Sequence, residues 1–191
     1  KGIKPFVAIY STFMQRALDQ VIHDVALPKL PVVFCLDRAG LVGEDGATHH
    51  GVFDIAFLNF IPNLIILAPE NATELSAMLA WASEYQLGPV AIRYPRGTAK
   101  CLPDFSLASE FDPQKAVIHS NEGNLALVAA GDAFHTAEKV HEVLAEKGVA
   151  ASLVQLRAIK PLDLDSLRQI ARQCTRIYTF ETGSRIGGLG A

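Results

Sequence analysis

Short apolar runs, each followed by a segment in which apolar side chains recur at helical spacing, alternate along most of this chain, and that alternation limits what it can fold into. Strands buried on both faces are continuously apolar, and two parallel strands need a crossover, usually a helix, to join them. Pro5–Tyr10 is one such run. Ser11 or Thr12 follows as an N-cap, Thr12 and Gln15 have capping-box spacing, and a helix with Phe13, Ala17, Val21 and Val25 on its buried face is expected to run to Pro28. Val32–Leu36, Leu64–Leu67 and Val90–Tyr94 are further strands, with a short helix over Phe53–Phe60 and a longer one capped by Asn71 and stopped by Gly88-Pro89.

The second half repeats the pattern. Ala116–His119 and Leu125–Ala129 are strands separated by the turn-prone 120–124, which predicts a hairpin. A helix over Phe134–Lys147, ended by Gly148, leads to a strand at Ala151–Leu156, and Leu164–Gln173 and Arg176–Phe180 add another helix and strand. Residues 98–114 contain prolines and no periodicity, as a linker would. The expected fold is therefore α/β, in two units with mostly parallel sheets flanked by helices.

Composition narrows the classes of function. With 191 residues, 50% hydrophobic content and a mean hydropathy of +0.23, the chain can bury a substantial core. A net charge of −3 gives no basic field for nucleic acid, and no apolar run is long enough for a membrane-spanning helix. Cys35, Cys101 and Cys174 are odd in number and widely spaced, which argues against a disulfide framework or a structural zinc site and favours a reducing compartment. The strand-like start and the glycine-rich end at 183–191 have the character of a fragment of a longer protein.

Reactive chemistry is concentrated after the second strand, between Leu36 and Gly51. Four glycines let this loop turn tightly, and Asp37, Arg38, Glu44, Asp45, His49 and His50 supply charge and acid/base groups where open parallel sheets bind ligands, at a strand's carboxyl end. Asp45 and His49 form a candidate acid/base pair. A metal site at Glu44, Asp45, His49 and His50 is not assigned, because adjacent histidines usually diverge and no third well-spaced ligand is evident. Arg38 and Arg96 each follow an apolar strand and are candidates for holding a phosphate or carboxylate. Tyr10 and Phe13 flank the first strand-to-helix turn and are placed to stack on a heteroaromatic ring. His23 and His119 are read as structural, and Gly131-Asp132 as an ordinary strand-to-helix turn.

The segments Tyr10-Ser11-Thr12-Phe13-Met14-Gln15-Arg16-Ala17, Asp37-Arg38-Ala39-Gly40, Asp45-Gly46-x-Thr48-His49-x-Gly51 and Arg93-Tyr94-Pro95-Arg96-Gly97 resemble, in this order, the 1-deoxy-D-xylulose-5-phosphate synthases of the transketolase superfamily. The resemblance implies a partial pyrimidine-binding domain over 1–98, a linker over 99–114 and a truncated carboxyl-terminal domain over 115–191. It implies a transferase using thiamin diphosphate and magnesium that condenses pyruvate with glyceraldehyde 3-phosphate, releasing CO2, on the route to isoprenoids, thiamin and pyridoxal. In that family Phe13 would stack on the cofactor's aminopyrimidine, with Arg16 beside it. Tyr10, Arg38 and Arg96 would surround the acceptor's phosphate, and Asp45 and His49 would line the reacting centre. The implied assembly is a homodimer in the bacterial cytoplasm or plastid stroma. The diphosphate and metal site and the activating glutamate belong to sequence outside this chain, so the chain alone is expected to be inactive. The alternatives are a 2-oxo acid dehydrogenase β subunit, or a non-catalytic association or regulatory domain.

Overall fold

The computed structural model describes residues 2–98 and 111–191, so most of the predicted linker lies outside the described residues. Two sheets carry the fold. The first has the order β1-β2-β4-β3-β8, formed by β1 (Phe6–Tyr10), β2 (Val33–Asp37), β3 (Ile65–Leu67), β4 (Val90–Arg93) and β8 (Ala158–Lys160). Its four strands from the first half are mutually parallel. The second has the order β5-β7-β6-β9, from β5 (Val117–Ser120), β6 (Leu125–Ala130), β7 (Ser152–Leu156) and β9 (Arg176–Phe180), with β6 parallel to both its neighbours.

The two-residue period of β2 explains why it is apolar throughout. Phe34 and Leu36 join the same cluster of buried side chains as Met14 and Leu58, whereas Val33 and Cys35 join Met78 and Ala82 of α4 (Ala72–Glu84) on the opposite face. The larger cluster extends into the second half through Val128, Val154 and Leu156, so the two halves share one core.

Four features depart from the sequence expectations. The 120–124 turn does not close a hairpin: β5 pairs antiparallel with β7. The central strand β6 already has β7 and β9 on its two edges, so β5 cannot pair with it and takes the outer edge of β7. The segment after Tyr10 is helical but not one regular helix, because α1 (Ser11–Met14), a 3-10 turn, α2 (Leu18–Gln20) and a π segment over Val21–Ala26 succeed one another. These changes of period bury Met14, Val21 and Ala26 and leave Phe13 half-buried, off the core face. The expected capping box at Thr12 and Gln15 does not form either: Tyr10 is the N-cap without a side-chain bond, and the Thr12 hydroxyl donates to the Thr48 carbonyl at 3.3 Å.

The unanticipated strand β8 leaves the second half to pair antiparallel with β3, covering an edge of the first sheet that would otherwise present unpaired backbone groups. Two polar ties accompany it. Arg93 at the end of β4 donates through Nε to Asp54 Oδ2 at 2.9 Å, with both side chains buried, and through its terminal nitrogens to the hydroxyl and carbonyl of Thr182. Asp54 opens α3 (Asp54–Asn59), and its Oδ1 accepts from Ile55 N at 2.8 Å. The second tie starts at the cap of α4, where Asn71 Oδ1 accepts from Glu74 N at 2.8 Å. Glu74 accepts from Glu70 N, from Gln155 Nε2 at 2.8 Å and from Arg157 Nε. The first turn of α4, which Asn71 caps, is thus also a joint between the halves through Glu74. Among the described residues, no helix is long and apolar enough to cross a membrane.

Two outcomes are expected from these ties. Asp54→Asn leaves a buried guanidinium without its counter-charge and is expected to cost about 3–5 kcal/mol, measured as a lower denaturant midpoint by circular dichroism; a loss below about 1 kcal/mol would contradict this account. Glu70 follows the opposite logic. Burial, reinforced by the neighbouring Glu74 and Glu138 carboxylates, pushes its carboxyl up to about 7, and its Oε2 is buried without a hydrogen-bond partner. A carboxyl raised in the folded state makes stability fall as pH rises from the ordinary carboxylate range toward 7. Glu70→Gln, which keeps an acceptor for Asn71, is expected to flatten that fall and to be the more stable protein at pH 8 but not at pH 4.

Candidate functional site

The carboxyl ends of β1, β2 and β4 lie side by side, with Tyr10 in register with Asp37 and Leu36 with Arg93, so residues following these strands converge. Arg38, directly after β2, takes a left-handed backbone conformation with φ of 60°. For a residue other than glycine this costs about 1–2 kcal/mol, so the surrounding contacts must hold it. Ala39 N donates to Tyr94 O at 3.0 Å, tying the start of the loop to the end of β4.

The loop is closed at its neck. Gly40 and Gly51 exchange backbone hydrogen bonds of 2.9 and 2.8 Å. Gly40 has φ of +78°, and a Cβ on Gly51 would lie 2.4 Å from the Arg38 carbonyl oxygen and 2.5 Å from Ser11 Oγ. Both glycines therefore follow from the close approach of backbone that the neck requires. Beyond it the chain makes two 3-10 turns, Gly43–Asp45 and Ala47–His49, which carry the polar side chains back toward β1.

Asp45 is the electrostatic centre of the assembled site. Its Oδ2 accepts from Arg38 Nε at 2.9 Å and its Oδ1 from Arg96 NH1 at 3.0 Å, while Arg38 NH1 also donates to Asp37 Oδ2 at 2.9 Å. The Arg38 hydrogen bond, with the further positive charge of Arg96 nearby, holds the Asp45 carboxyl below the usual carboxylate range, and the same bond raises the Arg38 guanidinium. Asp45 is consequently ionised at neutral pH and orders two cations.

An aromatic group adjoins this cluster. The Arg38 guanidinium lies 3.9 Å from the centre of the Tyr10 ring, and Tyr10 stacks on Phe13 with ring centres 5.3 Å apart and an interplanar angle of 15°. His49 meets Phe13 edge-on at 5.4 Å and Tyr10 at 6.4 Å, and the exposed Arg16 lies 5.5 Å from the centre of the Phe13 ring. All seven sequence-chosen residues thus fall in one neighbourhood, although Asp45 and His49 do not bond one another directly: His49 Nδ1 lies 2.9 Å from Thr48 Oγ1. The neighbouring imidazole has a different task, His50 Nδ1 accepting from Val42 N at 3.1 Å. Among the described residues, no group of three or more His, Cys, Asp or Glu side chains is placed to hold a metal ion.

A cleft of about 530 Å³ opens beside the two arginines, lined by Arg38 and Arg96, by Glu70 and Asn71 from the cap of α4, and by Asp132 and His135 from the second half. Sequence reasoning missed this second-half contribution. Gly131-Asp132 is the expected turn from β6 into the following helix, and within it Asp132 Oδ1 also accepts from the Thr182 hydroxyl at 3.2 Å. An arginine inside the otherwise apolar β4 was the available signal, because a buried guanidinium requires partners. Asp37 pairs with Arg38, its neighbour in the chain at the end of β2, and that adjacency is the sequence signal for the pair.

Residues 1–100 match the transketolase pyrimidine binding domain, and residues 114–191 match the transketolase C-terminal domain. The chain is 46% identical over 191 residues to the 1-deoxy-D-xylulose-5-phosphate synthase of Thermomicrobium roseum and 48% identical over 192 residues to that of Desulforudis audaxviator. Each alignment takes in 100% of this chain but 30% of the relative, so the chain spans under a third of the length of these relatives. A solved structure described as split gene transketolase, inactive beta4 tetramer, is similar with a TM-score of 0.84 at 31% identity, over 97% of this chain and 60% of that one. A transketolase mutant from Pichia stipitis in complex with fructose 6-phosphate has the same fold, with a TM-score of 0.80 at 22% identity over 95% of this chain and 27% of that chain. With its first hundred residues matching the pyrimidine binding domain and its remaining strands the C-terminal domain, this chain belongs to the transketolase family.

Proposed function

We propose that this chain forms the substrate-facing wall of a 1-deoxy-D-xylulose-5-phosphate synthase, in which pyruvate is decarboxylated and its two-carbon fragment joined to glyceraldehyde 3-phosphate. The observation that carries this reading is the Arg38–Asp45–Arg96 arrangement beside the Tyr10, Phe13 and His49 rings. It suits a substrate with an anionic end and a reacting carbon held together. The identity of 46–48% to synthases across the whole chain favours this enzyme over a 2-oxo acid dehydrogenase β subunit or a non-catalytic domain.

The roles of the residues follow from their chemistry. Arg38 and Arg96 bind the acceptor phosphate: a guanidinium has five N–H donors, so the bond from Arg96 to Asp45 does not exhaust it. Asp45 sets the separation of the two guanidiniums, and Tyr10 supports Arg38 from its ring face. His49 is the group suited to taking up or returning a proton at the reacting centre. The aromatic face of Phe13 and the charge of Arg16 suit the pyrimidine half of thiamin diphosphate, and the side chains described here fit that half only. When bound, the cofactor supplies the electron sink for carbon–carbon bond cleavage and formation. Magnesium and the diphosphate are held by residues outside this chain, the working assembly is a homodimer, and the compartment is the bacterial cytoplasm or plastid stroma. The pyrimidine-binding unit extends to about residue 98 and the carboxyl-terminal unit begins near residue 115.

Two measurements test this. Calorimetric titration of the 191-residue chain with thiamin diphosphate and magnesium is expected to give no binding, because the diphosphate anchor is missing; micromolar affinity would contradict the division of the site. In the full-length enzyme, Arg96→Ala is expected to raise the KM for glyceraldehyde 3-phosphate by roughly tenfold or more, the loss of a charge-assisted hydrogen bond, with little change for pyruvate. Equal losses for both substrates would remove the phosphate assignment.

A further inference from the structure

We propose that Thr182, in the second half, is a positioning residue that holds the neck of the 40–51 loop and thereby keeps Arg38 and Asp45 in place. The relevance to catalysis rests on the substrate-wall reading above; the structural role does not.

The neck has two strands, and the segment after β9 touches both. On one side, the left-handed Gly40 rests on Thr182: a Cβ at Gly40 would stand 2.9 Å from Thr182 Cβ, 3.2 Å from its Oγ1 and 3.4 Å from its carbonyl oxygen. On the other side, Ser184 N donates to Val52 O at 2.7 Å. Gly40 and Gly51 are hydrogen-bonded to each other between these supports, so movement of the 182–184 segment is transmitted to the loop as a unit. Arg38 lies two residues before Gly40 and Asp45 within the loop, and the two are joined by their own ion pair.

Thr182 is itself fixed from below. Its hydroxyl accepts from Arg93 NH1 and NH2 at 3.3 and 3.4 Å and donates to Asp132 Oδ1 at 3.2 Å, while its carbonyl accepts from Arg93 NH2 at 3.2 Å. Using the hydroxyl as both acceptor and donor orients the side chain in one way. Arg93 in turn is set by buried Asp54. The chain of contacts therefore runs from the shared core through Thr182 to the loop, and a second-half residue outside the Arg38–Asp45–Arg96 cluster determines where the first-half site stands.

Valine at this position keeps the shape against Gly40 and removes the hydroxyl, whereas serine keeps the hydroxyl. Hydrogen exchange of the 191-residue chain is expected to show the Gly40 and Gly51 amides exchanging about tenfold faster in Thr182→Val, the loss of one net hydrogen bond. The amides of the β6–β7 ladder should be unchanged, and Thr182→Ser should restore protection. Unchanged exchange at the neck, or an equal rise across both sheets, overturns the proposal. In the full-length enzyme, Thr182→Val is expected to raise the KM for glyceraldehyde 3-phosphate more than that for pyruvate, with a fall in kcat as well because His49 is carried on the same loop. Faster exchange confined to the neck together with equal loss for both substrates would uphold the positioning role and overturn the acceptor-wall reading.

Discussion

The buried pair of Arg93 and Asp54 is the interaction on which the rest of this structure depends. Removing a guanidinium and a carboxylate from water is costly, and their attraction offsets that cost only when their remaining hydrogen-bonding groups are also satisfied. Here they are distributed in three directions: to each other, to the first turn of α3, and to Thr182 across the boundary between the halves. A hydrophobic pair of similar size would fill the space but would tie down neither the helix start nor the 182–184 segment. The pair thus converts two packed units into one framework with a defined relation between β4 and the loop after β2.

Asp45 applies the same electrostatics in a different setting. It holds two guanidiniums but is only half-buried, and its partner Arg96 is exposed, so solvent screens the interaction and its contribution to stability is small. Its value is positional. A shared carboxylate fixes the spacing of two cations at the mouth of a cleft, while the ring of Tyr10 supports one of them. Buried charge provides the scaffold and exposed charge is left to meet a ligand.

Much of this was legible in the chain. The apolar runs located β2, β3 and β4, because strands buried on both faces cannot carry polar side chains without partners. Asn71 announced the start of α4 and Gly148 the end of α5 (Phe134–Glu146), each through a local backbone requirement. Tyr10, Phe13, Arg38 and Arg96 could be chosen because each follows or borders a strand end, and Asp45 and His49 because they sit in the loop after β2, whereas Arg16 rested on the resemblance to 1-deoxy-D-xylulose-5-phosphate synthases. What failed was non-local. The partner of β5, the excursion of β8 into the first sheet and the irregular turns between Ser11 and Ala26 depend on which edges and surfaces other segments leave available.

The sequence by itself determined the alternation of strands and helices, the caps, and the segregation of polar chemistry into loops after the strands, because these follow from side-chain periodicity and short-range backbone sterics. Only the tertiary structure decided that Asp45 would bridge Arg38 and Arg96 instead of bonding His49, that Arg93 would find Asp54, and that Thr182 would lie under Gly40. Those contacts join residues from 7 to 142 positions apart, and chain spacing carries no information about them until the sheets bring the segments together.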